Sequence, residues 1–186
     1  MEGGEPGRTG EPPKLEDLPS WTIGHLVDRI GSTDAAPGGG AAGGVAIALA
    51  AACALKAIVI TLVHQPDDPE LAMAAERLRR IADEALEGAA GDASAFEALI
   101  AAYRLPKGAA VQADVRHASI EARAAKVAAV GARLGALAIE ARGVIEGLGS
   151  EVRPNMITDV RAALALARAA EQIHAGNLGS NWDAGT

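Results

Sequence analysis

The stretch Ala41–Val63, AAGGVAIALAAACALKAIVITLV, decides the fold. Its one charged residue is Lys56. Read as a helix it has no polar face, and a helix that is apolar on every side is normally enclosed by its neighbours. Its length alone would also suit a bilayer. Against that, Lys56 interrupts it, much of its apolar character is Ala and Gly, and no second segment of this kind follows. The expectation is the central helix of a bundle, with no membrane span. Gly39 and Gly43, and Gly40 and Gly44, stand four apart near its start, where another backbone can come close. A bundle this small leaves part of such a helix uncovered, so self-association to a homodimer is expected.

The rest of the chain agrees with an all-α reading. Of 186 residues, 44 are alanine, the best helix former, and the aromatics are only Trp21, Phe96, Tyr103 and Trp182. Sheets favour aromatic and β-branched side chains, so a mostly β protein is excluded. The length suits one domain. Ser20 reads as the cap of a short helix from Trp21 to Ile30, and Pro37 with three glycines then breaks the chain. After Pro66 and Pro69, Leu71, Ala74, Leu78, Ile81 and Ala85 alternate spacings of three and four, a bundle-facing seam. Near Gly88 and Gly91 that helix either runs on to Arg104 or restarts with Asp92 as its cap. A long helix from about Val111 to Leu148 carries the same seam through Val127, Val130, Leu134, Leu137, Ala141, Val144 and Leu148, with Gly131 and Gly135 suiting close contact. A last helix runs from Asn155 to His174. Five or six helices with short connections make an up-and-down bundle. Residues 1–19 hold hardly any apolar residue and are expected to be a disordered acidic tail, leaving residues 20–186 as the single helical domain.

The net charge of −7 and the pI near 5.1 argue against nucleic acid as a partner. The lone Cys53 admits no internal disulfide and reads as a small buried hydrophobe. With no apolar segment before Trp21, a cytoplasmic location is expected. His25, His64, His117 and His174 have no metal-site spacing, so no metal is expected. Gly38–Gly43 spells G-x-G-x-x-G, but no strand precedes it and the next acidic residue is Asp67, so a dinucleotide site is excluded. Glycines opening a helix still present free N–H groups to an anion or a carbonyl oxygen; the plainer reading is a turn needing positive φ. Asp92 reads as a cap or a working carboxylate. Asn155 and Asp159 share a helix face.

Three segments together resemble the cyclodeaminase/cyclohydrolase family, which includes the second domain of formiminotransferase-cyclodeaminase and stand-alone methenyltetrahydrofolate cyclohydrolases. They are Ala36-Pro37-Gly38-Gly39-Gly40-Ala41-Ala42, Asp92-Ala93-Ser94-Ala95-Phe96 followed by Ala102–Lys107, and Pro154-Asn155-Met156-Ile157-Thr158-Asp159. The resemblance covers roughly residues 22 to 180. It implies a homodimeric helical bundle with a folate cleft near the subunit interface, a tetrahydrofolate derivative as small-molecule substrate, and no tightly bound cofactor. Asp92 and Asp159 take the catalytic positions. Pro37, Gly38, Gly39, Gly40, Lys107, Asn155 and Thr158 take substrate-binding ones. The chemistry implied is cyclodeamination or cyclohydrolysis at a one-carbon unit bridging N5 and N10. A carboxylate suits both, because it stabilises the amidinium and moves a proton.

The chain departs from the family at the loop after its first core helix. Val63-His64-Gln65-Pro66-Asp67-Asp68 lacks the usual lysines and tyrosine, and Ala41 replaces the usual serine. That loss weakens the case for a polyanionic substrate. It leaves two further readings: a same-scaffold enzyme acting on a non-folate amidine or iminium, and a non-catalytic dimerisation module.

Overall fold

The computed structural model describes residues 13–149 and 151–180, with side chains described as far as Asn177. Among them lie five α-helices: α1 (Ile23–Ile30), α2 (Gly39–Leu62), α3 (Pro69–Tyr103), α4 (Ala110–Gly147) and α5 (Ile157–Ser180). Two 3-10 turns, Leu15–Ser20 and Pro154–Met156, precede α1 and α5. The starts follow local chemistry. Thr22, not Ser20, caps α1, its hydroxyl accepting the His25 N–H at 3.2 Å. Asp68 caps α3 by accepting from the Glu70 and Leu71 N–H groups at 3.0 Å each, with Pro69 in the first turn.

Helices α2 to α5 form a four-membered ring, each antiparallel to its neighbours, with α2 packed on α3 and α5 and α4 closing the ring. The side-chain register shows the opposed directions. Arg77 meets Glu140 at 2.8 Å, and two turns further along α3 Glu84 meets Arg133 at 2.9 Å. Arg142 bonds Glu171 at 2.6 Å where α4 passes α5. The seams read from the sequence are the core: Leu71, Leu78, Ile81, Ala85, Leu134, Leu137, Ala141 and Ile145 are buried together against Ile47, Ala51, Ala54 and Ile58. At the far end of α2, buried Thr61 donates to the Ala57 carbonyl at 2.8 Å and accepts the Arg153 N–H at 3.1 Å. That pins the loop before α5.

Helix α3 is continuous. A mid-helix glycine costs about 1 kcal/mol relative to alanine, but Gly88 gives room to Leu134, whose Cδ2 stands 2.6 Å from where a Cβ would be. Gly43 and Gly44 hold the close contacts expected of them, against His174 and Ala89. Gly131 does not, because nothing approaches its Cβ position within 4 Å. Cys53 is only half-buried, on the outer side of α2.

The reading of residues 1–19 as an undocked tail is corrected over its last part. Residues 1–12 lie outside the described residues, but Leu15 and Leu18 are buried with Ala36, Ala41, Ala89, Ala90 and Ala93. These two leucines strap the glycine segment to α3.

By length and composition α2 alone among the described helices could cross a membrane. In the bundle, half of its 24 residues are buried. Its outer side shows a stripe of Val45, Leu49, Ala52, Val59 and Val63, broken only by Lys56, with Leu49 49% exposed.

Candidate active site at the start of helix α2

Because α3 runs antiparallel to α2, Asp92 in mid-α3 arrives opposite the first turn of α2. It therefore caps no helix of its own. Its carboxyl faces Gly40, whose added Cβ would lie 2.5 Å from Oδ1 and 2.6 Å from Cγ. The Ala41 backbone N–H donates toward it. The carboxyl thus occupies the place of an anion at a helix N-terminus. Burial pushes its pKa above the usual aspartate range, and the Ala41 N–H pulls the other way with less effect.

A cavity of about 200 Å³ opens beside it, lined by Gly38, Gly39, Gly40, Asp92, Phe96 and Asn177 among others. Pro37 is fully buried and follows a cis peptide bond. None of these glycines needs a positive φ, since among the described residues only Gly149 has one; Gly40 serves close approach, while nothing stands within 4 Å of a Cβ at Gly38 or Gly39. The arrangement joins a partly desolvated carboxyl, more ready than an ordinary aspartate to hold a proton, to first-turn N–H groups that have no partner within their helix. Phe96 and Asn177 were not singled out as site residues. Phe96 stands one turn from Asp92 on the same face of α3, which the sequence did offer.

The other expected site residues lie elsewhere. Asp159 pairs with Lys56 at 3.6 Å. Lys56 is sixteen residues along α2 from Gly40, or about 24 Å of helix. Asn155 and Thr158 are exposed at that same end, and Lys107 is exposed in the α3–α4 connection. Within one chain the structure therefore joins Asp92 to Pro37–Gly40 and separates it from the Asn155–Asp159 group.

A second hollow of about 300 Å³ between α3 and α4 is lined by Ala95, Ala98, Ser119, Ala122, Arg123 and Lys126. Two of its lining residues, Ala95 and Lys126, are chain neighbours of Phe96 and Val127, which line the Asp92 cavity. Arg123 and Lys126 take part in no ion pair among the described residues. A further cleft, of about 350 Å³, lies between the start of α3 and the end of α4. Its lining combines aliphatic side chains such as Leu71, Val144 and Leu148 with Glu70, Arg77 and Glu151, whereas Asp92, whose carboxyl is shifted up by burial, lines the smaller cavity. No group of three metal-ligating side chains occurs among the described residues.

Known proteins agree with this architecture. The family model of formiminotransferase-cyclodeaminase matches residues 22–184. No curated protein matches the sequence. The crystal structure of formiminotetrahydrofolate cyclodeaminase from Thermotoga maritima superposes with a TM-score of 0.74 at 22% identity, covering 87% of this chain and 78% of that one; at this identity the likeness speaks for the fold. With a family match over almost the whole helical domain, and the glycine segment and Asp92 meeting at one cavity, this chain belongs to the formiminotransferase-cyclodeaminase family.

Proposed function

We propose that the chain is an enzyme of folate one-carbon chemistry that closes the N5-formimino group of a tetrahydrofolate onto N10 with loss of ammonia. One observation carries this reading: a half-buried carboxyl with a raised pKa, Asp92, set against the start of α2 in an open cavity. In the reaction N10 attacks the amidine carbon, the N10 proton is lost, and the bond to the departing nitrogen breaks. Asp92 takes the N10 proton and returns it to the leaving nitrogen, so the protonated formimino substrate yields ammonia and the methenyl cation. Before it takes the proton, and again once it has returned it, the carboxylate also offsets the charge of the amidinium and of the methenyl cation. Hydrolysis of the methenyl group would call on the same carboxyl, with water in place of N10.

A cavity of about 200 Å³ is smaller than the roughly 300–1,000 Å³ of most ligand sites. Two features supply the rest. In this reading the hollow between α3 and α4, with Arg123 and Lys126, receives the carboxylates of a folate's glutamate end. That compensates for the cation-free loop Val63–Asp68. A second copy of the chain supplies the other wall. In this reading the apolar stripe of α2 is the dimer seam. Pairing α2 antiparallel with its copy carries the Lys56–Asp159 end of one subunit toward the Asp92 end of the other, the arrangement in which Asp159 and Asn155 serve a shared site.

The test is calorimetric titration of the full chain with 5-formyltetrahydrofolate, followed by absorbance assays with the formimino and methenyl compounds. Binding that is weakened by Arg123→Glu, and ring closure that falls about a hundredfold or more with Asp92→Asn, support the reading. A folded protein that ignores folates but turns over a small amidine lacking an anionic tail moves the assignment to the non-folate alternative, which the Val63–Asp68 loop favours.

A further inference from the structure

His174 lies on α5, 1% exposed, and neither ring nitrogen has a hydrogen-bond partner among the described residues. Such groups are rare, because burying a polar atom without a partner is costly. Its place is specific. Nε2 stands 2.7 Å from where a Cβ on Gly43 would be, and the His174 Cβ stands 3.6 Å from that of Gly135 on α4. Gly40 and Gly43 are three apart on α2, a spacing that puts two Cβ positions about 5–6 Å from one another on one face. One of them faces the Asp92 carboxyl and the other the His174 imidazole. The two missing side chains thus admit two titratable groups to one side of α2, a turn apart. From α5 the same relation recurs: Asn177, three residues beyond His174 on the same face, lines the Asp92 cavity.

We infer that His174 is a positioning residue of the Asp92 site: a buried imidazole whose charge, one helical turn beneath the carboxyl, sets how readily Asp92 holds a proton. The inference rests on the reading of Asp92 as the proton-handling group. Gly43 from α2 and Gly135 from α4 come up to this side chain and bear no charge, and burial, with no charged partner, is what acts on the imidazole. On its own helix Glu171 is engaged by Arg142. Burial favours the neutral imidazole, which leaves Asp92 a good proton acceptor. Once His174 is protonated, the added positive charge makes the carboxyl a poorer one.

Two measurements on the full chain test this. NMR follows the His174 ring through a pH titration in the wild type and in Asp92→Asn. Removing the carboxylate charge should lower the His174 midpoint by about one unit, as expected for charges a turn apart in a partly desolvated site. This arm needs no folate and stands even if the folate assignment fails. The second arm is the pH profile of kcat and KM for His174→Gln and His174→Phe. The acid limb of kcat should move toward neutral pH by up to about one unit while KM at neutral pH stays within about twofold. An imidazole that titrates alike with and without Asp92, or stays neutral in both until the protein unfolds, overturns the inference. So does a folded glutamine variant with the wild-type pH profile. If the phenylalanine variant does not fold, the NMR arm and the glutamine variant still decide.

Discussion

The Gly40 backbone and the Asp92 carboxyl are so close that a methyl group on Gly40 would stand 2.6 Å from the Asp92 Cγ. The glycine is thereby part of the carboxyl's site. Asp92 can rotate away from an added methyl, but it then leaves the Ala41 N–H. Gly40→Ala should lower kcat at least tenfold and leave the melting temperature within a few degrees. Gly44 makes the contrast. A Cβ there meets Ala89 Cβ at 2.9 Å and the Ala85 carbonyl at 3.1 Å, neither of which can turn aside. Gly44→Ala should cost about 1–3 kcal/mol of stability, as overpacking does. Equal effects of the two substitutions on activity and melting would refute this division.

Asp92→Asn should lower turnover about a hundredfold or more, typical of a lost acid–base group. Stability should move the other way. The folded pKa of Asp92 is raised, so its contribution to stability is present below the unfolded value of about 3.9 and is lost as pH rises through the folded value. At neutral pH the wild type therefore carries an ionised carboxylate at a cost that asparagine avoids. Melting curves at pH 4 and pH 7 should show the variant gaining on the wild type only at the higher pH. A variant destabilised at both would make Asp92 a structural residue.

Leu15 and Leu18 pack on Ala36, Ala41 and Ala93, beside the cavity. Leu18→Ala should cost about 2–3 kcal/mol in urea unfolding, at the lower end for a buried leucine because the site is peripheral. Removing residues 1–19 should also reduce activity, since the glycine segment loses its strap. Unchanged melting and turnover after that truncation would show that the turn is expendable.

Leu49→Glu on the outer stripe of α2 should give a monomer in sedimentation at micromolar concentration, because an unpaired carboxylate cannot be buried at an apolar seam. If the dimer persists, the seam lies elsewhere. The exposed first half of α4, with Val111 and Val115 at 73% and 60% exposure, is then the next face to alter.

The four-helix ring was legible because its seams repeat: the three-four spacing of Leu71–Ala85 and Val127–Leu148 survives without any alignment. The glycine segment and Asp92 were legible as chemistry, but not their meeting. Gly88 and Gly91 look like a break in a propensity reading, and only the fit of Leu134 into the Gly88 notch shows why α3 runs through. Leu15 and Leu18 are two residues in a polar tail, too few to make a period. His174 had no metal-spaced companion and so looked inert; its significance depends on what faces Gly43, a relation that no local window contains. Asp159 was placed by motif, and its single-chain position follows from α5 running antiparallel to α2.

The notches in α2 also change how this protein must be probed. Alanine replacement, the usual probe, has little to remove in a chain where 44 residues are already alanine. Information here is stored as absences of side chain at Gly40, Gly43, Gly44 and Gly88. The revealing scan runs in reverse, adding one carbon at a time and watching which neighbour is displaced. It also follows that these four positions give the chain little room to drift: at each of them the smallest available step from glycine, a single methyl, meets the group the notch was built to admit.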